Sequence, residues 1–502
     1  MDSADGGTDL ALATAQRRKS WYPRVRTGCL TCRSRRVKCD EAKPVCERCA
    51  RGGFHCRGFR QAVSSVSGAS VIEVHGRLCI SVPQLPKQGV IMETEPPEWD
   101  YMQAVHHYYS VIRPTLVSDV HVVTDPPFNT HRMVKPVFVL RIICTQISNA
   151  SKSRGRMIEM GQDAAFSGLW NKYYQYVDKS LGIVNRCIGE SGKESYESSL
   201  SNIAHLVYVD LYTTGSLWQA HISGFFAYIQ LRGGIVRVIK RPSMGMDFVN
   251  AILCCMIWLN TTTPAAQRLR GADTYHDDEL RAIIEFDSSV TLACPPEYAI
   301  LIHHITRLRG TLSRVGVDSA VQDAAELFLA SKMKLAFMFD LEKWAKEKYE
   351  ESDAISKAIA LADIHEIAIR LYAILTLPRH MVGKWSHGMS TASNAYHNIR
   401  TESIYERFRI VHRRVILSRV RQIWHTLTAK QEVAWPLIVA GVAAGDASLR
   451  DQDFIMDSLL EIWMSMGSSV SFILARDKLR AFWKSGKTGW EECFDEPTPS
   501  IP

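Results

Sequence analysis

Six cysteines in one short stretch have the spacing of ligands for a metal cluster. They follow the pattern C-x2-C-x6-C-x6-C-x2-C-x6-C, in which the second half repeats the first. The first half holds Cys29, Cys32 and Cys39, and the second holds Cys46, Cys49 and Cys56. Each half supplies three thiolates, one fewer than tetrahedral Zn²⁺ requires. Two zinc ions offer eight ligand positions, which six thiolates fill if two of them bridge. The symmetric choice of bridges is the first cysteine of each half, and no position then stays open for a substrate.

A disulfide framework is the alternative use of six cysteines. The first twenty residues hold three aspartates and end in Arg17-Arg18-Lys19 without a long apolar run, so no secretory signal is visible. We therefore expect a reducing compartment and a zinc cluster. The remaining cysteines show no ligand spacing and are predicted to be reduced thiols: Cys79, Cys144, Cys187, Cys254, Cys255, Cys294 and Cys493.

Cations crowd the segment between the second and third cysteines. Two Zn²⁺ ions and six thiolates sum to a charge of −2, which nearby cations offset. Arg33, Arg35, Arg36 and Lys38 exceed that need. Arginine can donate two hydrogen bonds to guanine O6 and N7, and lysine can reach the same atoms or a phosphate. The alternative is a solvated helix face. Arg33, Arg48 and Arg51 are weaker candidates, for which phosphate contact or plain solvation would account.

This segment resembles the fungal zinc binuclear cluster transcription factors. The likeness extends beyond the cysteines to Arg35-Arg36-Val37-Lys38-Cys39-Asp40 and Lys43-Pro44-Val45-Cys46, and it covers about residues 20–60. In that family the first short helix points its end into the DNA major groove at a CGG-like triplet. The resemblance implies that Arg35, Arg36 and Lys38 face DNA.

Length and charge agree with a small basic module on a larger body. A chain of 502 residues, 46% of them hydrophobic, exceeds the size at which one core stops growing. Residues 17–60 carry 14 Lys or Arg against three Asp or Glu, a net +11 out of the total of +8, so the remainder carries −3. An anionic partner is thus expected for the module alone, and double-stranded DNA is the obvious candidate.

The predicted organisation has five parts. Residues 1–24 form a disordered basic N-terminal arm, whose cations could act in nuclear import, contact phosphate or stay solvated. Residues 25–60 form the zinc binuclear cluster domain with two short helices. The other parts are a linker at 61–97, an all-α multi-helical regulatory domain at 98–490 and an acidic tail at 491–502. The tail is predicted to be a solvated end, with docking on a coactivator as the alternative.

The linker lacks the apolar heptads of a dimerising coiled coil. Residues 71–74 and 78–82 flank His75-Gly76 and predict either a small β-hairpin or an extended linker. Either outcome argues against a zipper next to the cluster. A homodimer would then have to form through the helical body.

The body carries apolar residues at intervals of three and four, a pattern that predicts helices. The predicted helices are 99–111, 136–150, 157–177, 196–212, 216–232, 248–259, 296–314, 320–349, 354–377, 402–428, 435–443 and 453–484. The helix at 216–232 has Ser216 as its predicted N-cap and Gly233-Gly234 as its predicted stop. Two motifs, Trp218-x2-His221-x2-Gly224 and Trp435-Pro436-Leu437-Ile438-Val439-Ala440-Gly441, resemble the second common type of fungal-specific transcription factor domain. No fixed period between helices supports a TPR-like or HEAT-like array.

Catalytic and membrane functions find little support. The sequence has no G-x-S-x-G, G-x-G-x-x-G or P-loop motif. The adjacent pairs His106-His107 and His303-His304 point about 100° apart on a helix, which makes them poor joint ligands. Residues 273–279 are predicted to be a polar loop leading into a helix. The most apolar stretch, 248–259, is too short to cross a bilayer.

The sequence thus predicts a nuclear, non-enzymatic transcription factor of the RNA polymerase II type. It would bind two Zn²⁺ ions, read a CGG-like triplet and regulate a metabolic or secondary-metabolite gene set, with a coactivator or small-molecule effector as a further partner. The rival interpretation is a zinc-stabilised interaction or ligand-sensing protein that does not touch DNA. The density of cations from Arg33 to Lys38 favours DNA.

Overall fold

The computed structural model separates the chain into two compact units, residues 1–67 and 68–502. It describes residues 31–32, 35, 37–40, 42, 46–53, 70–74, 77–81, 97–112, 135–158, 163–189, 193–213, 218–231, 233–239, 246–269, 271, 275–285, 294–314, 318–381, 401–465 and 469–499. The predicted N-terminal arm, residues 1–24, lies outside the described residues.

The first unit contains the cysteine-rich module. Its described secondary structure is a helical turn at Thr31 and Cys32 and the short helix α1, Glu47–Arg51. Helix α1 begins at Cys46, whose sulfur accepts a hydrogen bond from the Cys49 amide. A turn at Gly53, with φ of 66°, follows its end.

The second unit opens with a β-hairpin. Strand β1, Ser70–Val74, pairs antiparallel with β2, Arg77–Ser81, and Val74 lies opposite Arg77 at the turn. This outcome confirms the hairpin alternative within the predicted linker. Residues 70–81 are therefore not part of a coiled-coil zipper.

The rest of the second unit is helical in its described residues. The α-helices of its first half are α2 Pro97–His107, α3 Lys135–Ser153, α4 Ser167–Gly189, α5 Lys193–Thr213, α6 Trp218–Leu231, α7 Ile235–Ile239, α8 Met246–Thr261 and α9 Asp277–Glu285. Those of its second half are α10 Pro296–Leu312, α11 Ser319–Phe337, α12 Leu341–Lys348, α13 Ser352–Thr376, α14 Thr401–Ile423, α15 Ala434–Val442, α16 Leu449–Met464, α17 Ser471–Ser485 and α18 Trp490–Cys493. A π-helical turn, Tyr108–Ile112, extends α2, and single 3-10 turns precede α4, follow α8 and precede α15.

Two hydrophobic clusters organise these helices. One is built from α2 to α9 and the other from α10 to α18. Helices α8 and α10 join them, because Met256 and Ile300 belong to the first cluster while Trp258 and Tyr298 belong to the second. Helix α15 has all nine residues buried, which explains why its sequence is apolar on every side. The prediction of an all-α body is confirmed.

Local signals set the helix ends. The prediction of a Gly-Gly stop after residue 231 is confirmed, because Gly233 and Gly234 adopt φ of 96° and 82° and the Gly234 amide donates to the Ile229 carbonyl. The predicted N-cap Ser216 lies outside the described residues. Helix α10 begins with a proline, where the missing amide hydrogen costs nothing.

Several predicted helix boundaries are wrong. The single helix predicted at 320–349 is two helices, because Asp340 caps α12 by accepting from the Lys343 amide at 3.0 Å. The helix predicted at 453–484 is also two, α16 and α17. The helix predicted from residue 157 begins at Ser167, after a 3-10 turn that Asp163 caps.

The prediction of a solvated tail is wrong for the described residues 490–499. Trp490 and Phe494 are 1% and 0% exposed and belong to the second hydrophobic cluster. The acidic side chains Glu492 and Asp495 lie on the exposed side. The mixture of acidic and aromatic residues is thus the two faces of a packed segment.

Polar contacts fix the same segment to the end of α8. The Trp490 indole donates to the Thr261 carbonyl at 2.8 Å, and the Thr498 amide donates to the Thr262 carbonyl at 3.1 Å. The Glu491 carboxylate lies 3.0 Å from Nε of Arg309, a guanidinium that is 4% exposed. Because an uncompensated buried charge is costly, the segment completes the environment of Arg309.

Candidate metal centre and nucleic-acid interface

The structure brings three of the predicted zinc ligands together. The sulfur atoms of Cys32, Cys46 and Cys49 all lie within 4.8 Å of one another, and all three residues are fully buried. Cys32 Sγ lies 3.7 Å from both Cys46 Sγ and Cys49 Sγ. A zinc–sulfur distance of roughly 2.3 Å in a tetrahedron gives an edge of roughly 3.8 Å between sulfurs. The separations therefore fit thiolates that share zinc.

Cys46 also belongs to a second group of ligand atoms, with Cys39 and Asp40, whose members again lie within 4.8 Å of one another. A bridging thiolate must reach both metal ions, and Cys46 is the cysteine present in both described groups. The bridging role of Cys46 stays a prediction. The other predicted bridge, Cys29, and the sixth ligand, Cys56, lie outside the described residues.

Asp40 connects the two halves of the module. Its carboxylate accepts hydrogen bonds from the backbone amides of Ala42, Glu47 and Arg48 at 3.1, 3.0 and 2.9 Å. The last two amides open helix α1, where orphan N–H groups favour an anion. These hydrogen bonds, led by the one from Arg48, lower the pKa of Asp40. The sequence motif did not reveal this role of Asp40, although Asp40 and Glu41 are the acidic residues that directly follow the run of cations.

The described DNA-contact candidates are exposed. Arg35 and Lys38 lie beside the first group of cysteines, and Arg48 lies on α1. The Arg35 amide donates to the Thr31 carbonyl at 3.1 Å, and the Val37 amide donates to the Cys32 carbonyl at 3.0 Å, so the chain carrying these cations turns tightly around a buried cysteine. Arg33 and Arg36 lie outside the described residues.

The sulfurs of the module are buried and its cations are exposed, so the two sets of side chains have separate roles. The thiolates can hold metal out of contact with solvent, while the exposed guanidinium and ammonium groups can contact an anionic partner. When bound, zinc supplies structural cross-links between segments whose described core consists of cysteines with Val37 beside them. Zinc is therefore expected to fix the backbone that presents the cations.

The described residues of the helical body bring no comparable ligand set together. Among the described residues, the groups of three or more His, Cys, Asp or Glu with converging ligand atoms are the two in the cysteine module. His303 and His304 are buried on α10, and His304 Nε2 lies 2.9 Å from Asp277 Oδ1. Asp277 also pairs with Lys332 at 2.5 Å. Both histidines lie in the core, and residues 275–276 lead into helix α9.

None of the helices in the described part of the chain combines the length and the apolar character needed to span a bilayer.

Comparison with known proteins finds two families. The Fungal Zn(2)-Cys(6) binuclear cluster domain matches residues 27–65, and the Fungal specific transcription factor domain matches residues 157–498. The chain is 22% identical over 499 residues to the Phomenoic acid biosynthesis cluster-specific transcriptional regulator of Leptosphaeria maculans, covering 94% of this chain and 88% of the relative. No solved structure is a significant match.

Two other relatives match shorter segments of the chain. A Zn(2)-C6 fungal-type transcription factor of Aspergillus fumigatus is 53% identical over 97 residues, which are 18% of this chain and 24% of the relative. The Aspercryptin biosynthesis cluster-specific transcription regulator of Emericella nidulans is 58% identical over 36 residues, 7% of this chain and 6% of the relative. With the family match over most of the body, the chain belongs to the fungal-specific transcription factors, DNA-binding regulators of transcription whose Zn(2)-Cys(6) binuclear cluster domain binds two zinc ions.

Proposed function

We propose that the protein reads a CGG-like triplet in the major groove through the first half of its zinc cluster. Arg35, Arg36 and Lys38 are the base-facing candidates, and Arg33 and Arg48 contact phosphate. The observation that carries the proposal is the exposure of Arg35 and Lys38 next to buried thiols, since a cluster that served only as a structural knob would not need this density of cations.

The regulated genes are a metabolic set, and a secondary-metabolite biosynthetic cluster is the specific form of this proposal. It is supported by the names of two relatives, which are regulators of the phomenoic acid and aspercryptin biosynthesis clusters. Transcription by RNA polymerase II places the protein in the nucleus. The helical body acts without catalysis, transmits a coactivator or small-molecule signal, and pairs two copies of the chain.

The direct test is selection of duplex DNA from a random pool by the full chain, with zinc and with a chelator. The expected result is enrichment of a CGG-like triplet that chelation abolishes. About four neutralised phosphates should give a slope of roughly −3.6 in a plot of log affinity against log salt concentration. Recovery of no common motif, or binding that is indifferent to the chelator, would overturn the proposal.

A matched pair of variants separates base reading from phosphate contact. Arg36→Ala should relax preference at one base pair by about 1 to 3 kcal/mol. Arg450→Ala is the control, because Arg450 is an exposed arginine of the helical body, and this variant should bind every sequence as wild type does. An equal loss of affinity on every sequence would reassign Arg36 to a phosphate.

A further inference from the structure

Helix α11 is apolar on both of its faces. Its inner face is buried through Leu329, Met333 and Ala336. Of the eleven large apolar side chains that are exposed in the described part of the chain, five lie on the outer face of α11 or at its C-cap. They are Val321 at 55% exposure, Leu327 at 75%, Phe328 at 40%, Leu335 at 68% and Met338 at 74%. We call these five residues the α11 stripe.

Four of the five residues of the α11 stripe follow a heptad pattern, and Leu327 lies at its edge. Val321, Phe328 and Leu335 recur every seven residues, and Ala324, Ser331 and Met338 each follow three residues later. These are the two positions that face a partner in a coiled coil. The stripe extends for roughly 26 Å along the helix, or about five turns.

Ser331 is the single polar residue among these six heptad positions, and its side chain does not oppose burial. The Ser331 hydroxyl donates to the Phe328 carbonyl at 2.7 Å, so its hydrogen is already satisfied within the helix. Phe328 is held from beneath by an edge contact with the His304 ring, with ring centroids 5.0 Å apart. This contact holds the Phe328 ring in place at the middle of the stripe.

We propose that the α11 stripe is the face on which two copies of this chain pair, as antiparallel helices about a two-fold axis. An antiparallel register places Val321 opposite the partner's Met338, and Ala324 opposite the partner's Leu335. Phe328 then lies opposite the partner's Ser331. Each of the last two layers sets a large side chain against a small one, so the same surface complements itself as a two-fold interface requires.

Charge selects the antiparallel orientation. Asp323 and Lys334 lie along the same edge of the stripe, and neither has an ion-pair partner among the described residues. In the proposed register, Asp323 falls within about 3 Å, along the axis, of the partner's Lys334. In a parallel pair the edge that carries Asp323 and Lys334 would face the opposite edge of the partner helix, so these two charges would not meet. Opposite charges therefore meet in the antiparallel arrangement alone.

The area is sufficient for a reversible dimer. Each stripe residue exposes on the order of 100 Å², so pairing would cover about 1,000 Å² in total, the lower end for a specific interface. Dissociation constants in the range of roughly 1 to 100 µM are expected. A dimer of this kind carries two zinc clusters, which strengthens binding to paired triplets over a single triplet. The inference deepens the proposed function by naming the surface that joins two copies.

The test is sedimentation velocity of the full chain without DNA over a concentration range around these values. The wild-type chain should shift from monomer to dimer as concentration rises. Leu335→Glu should weaken the dimer at least tenfold, while Leu449→Glu, a matched change at a side chain 76% exposed on α16, should leave it unchanged. A wild-type chain that stays monomeric throughout, or equal effects of the two variants, would overturn the proposal.

Charge reversal tests the orientation. Asp323→Lys alone should weaken the dimer several-fold, because two pairs become repulsive. The double variant D323K/K334D should return affinity to within about twofold of wild type. Failure of the second change to rescue the first contradicts antiparallel pairing. DNA binding by Leu335→Glu distinguishes failure of this inference from failure of the proposed function. A variant that no longer dimerises but still binds a single triplet would support both the α11 stripe as the dimer face and the zinc cluster as the DNA reader.

Discussion

Four buried histidines of the helical body are held in the neutral state. They are His205, His221, His303 and His365, each less than a tenth exposed. Burial is the first cause of their lowered pKa values, which fall to about 3 for His205 and His303 and to about 4 for His221 and His365. In the unfolded chain the same groups have a pKa of roughly 6.5.

Acid is therefore expected to destabilise the body. Because the folded pKa lies below the unfolded value, the unfolded state binds more protons between about pH 4 and pH 6.5. The stability contribution is complete above pH 6.5 and is lost as pH falls through that window. Lowering the pH from 7.5 to 5.5 should cost roughly 1 kcal/mol per histidine. Urea unfolding followed by far-ultraviolet circular dichroism measures this loss.

Low pH also releases zinc by protonating its cysteine ligands. A pair of histidine variants separates this loss of zinc from the titration of the buried histidines, because both variants release zinc as wild type does. His365→Gln retains a group that can donate to the Leu361 carbonyl, now contacted by Nδ1 at 2.9 Å. It should lose about 1 kcal/mol less than wild type across the same pH range. His425→Gln, at an exposed histidine, should match wild type. Identical pH profiles for all three proteins would contradict the assignment.

At the scale of elements, the C-terminal segment 490–499 is expected to stabilise the body. Trp490→Ala removes a buried indole and its hydrogen bond to the Thr261 carbonyl, and should cost about 3 to 5 kcal/mol of unfolding free energy. Lys487→Ala, at an exposed position just before the segment, should change stability by less than about 0.5 kcal/mol. Chemical denaturation measures both. A Trp490→Ala protein as stable as Lys487→Ala would show that the segment only rests on the surface.

The elements also show which parts of the fold are readable from sequence. Helix existence followed from apolar spacing, and the stop at Gly233-Gly234 followed from glycine's access to positive φ. The break between α11 and α12 was missed because apolar spacing continues through residues 338–340, although Asp340 was an available cap signal. The burial of Trp490 was missed for a different reason. Its partner, Thr261, lies 229 residues away, and local pattern carries no information about such contacts.

At the cluster, spacing predicted the chemistry but not the supporting contacts. Metal-ligand spacing is local, so the convergence of Cys32, Cys46 and Cys49 could be predicted from sequence. The three amides that converge on Asp40 come from backbone geometry, which residue types alone do not reveal.

At the scale of the whole molecule, residues 17–60 carry a net charge of +11, whereas residues 61–502 hold equal numbers of basic and acidic side chains. The module needs zinc because its described core consists of cysteines, with Val37 packed beside them. The body has two hydrophobic clusters and needs no metal to pack. Removal of zinc should therefore abolish DNA binding and leave most of the helical structure in place.

Native mass spectrometry combined with DNA binding by the same sample tests the central claim most directly. The account predicts two zinc ions per chain, loss of duplex binding on chelation and its return when zinc is restored. Cys46→Ser should lose zinc and binding together, whereas Cys187→Ser, at a half-buried thiol of the body, should retain both. Duplex binding that persists without zinc, or full zinc content in Cys46→Ser, would contradict the account.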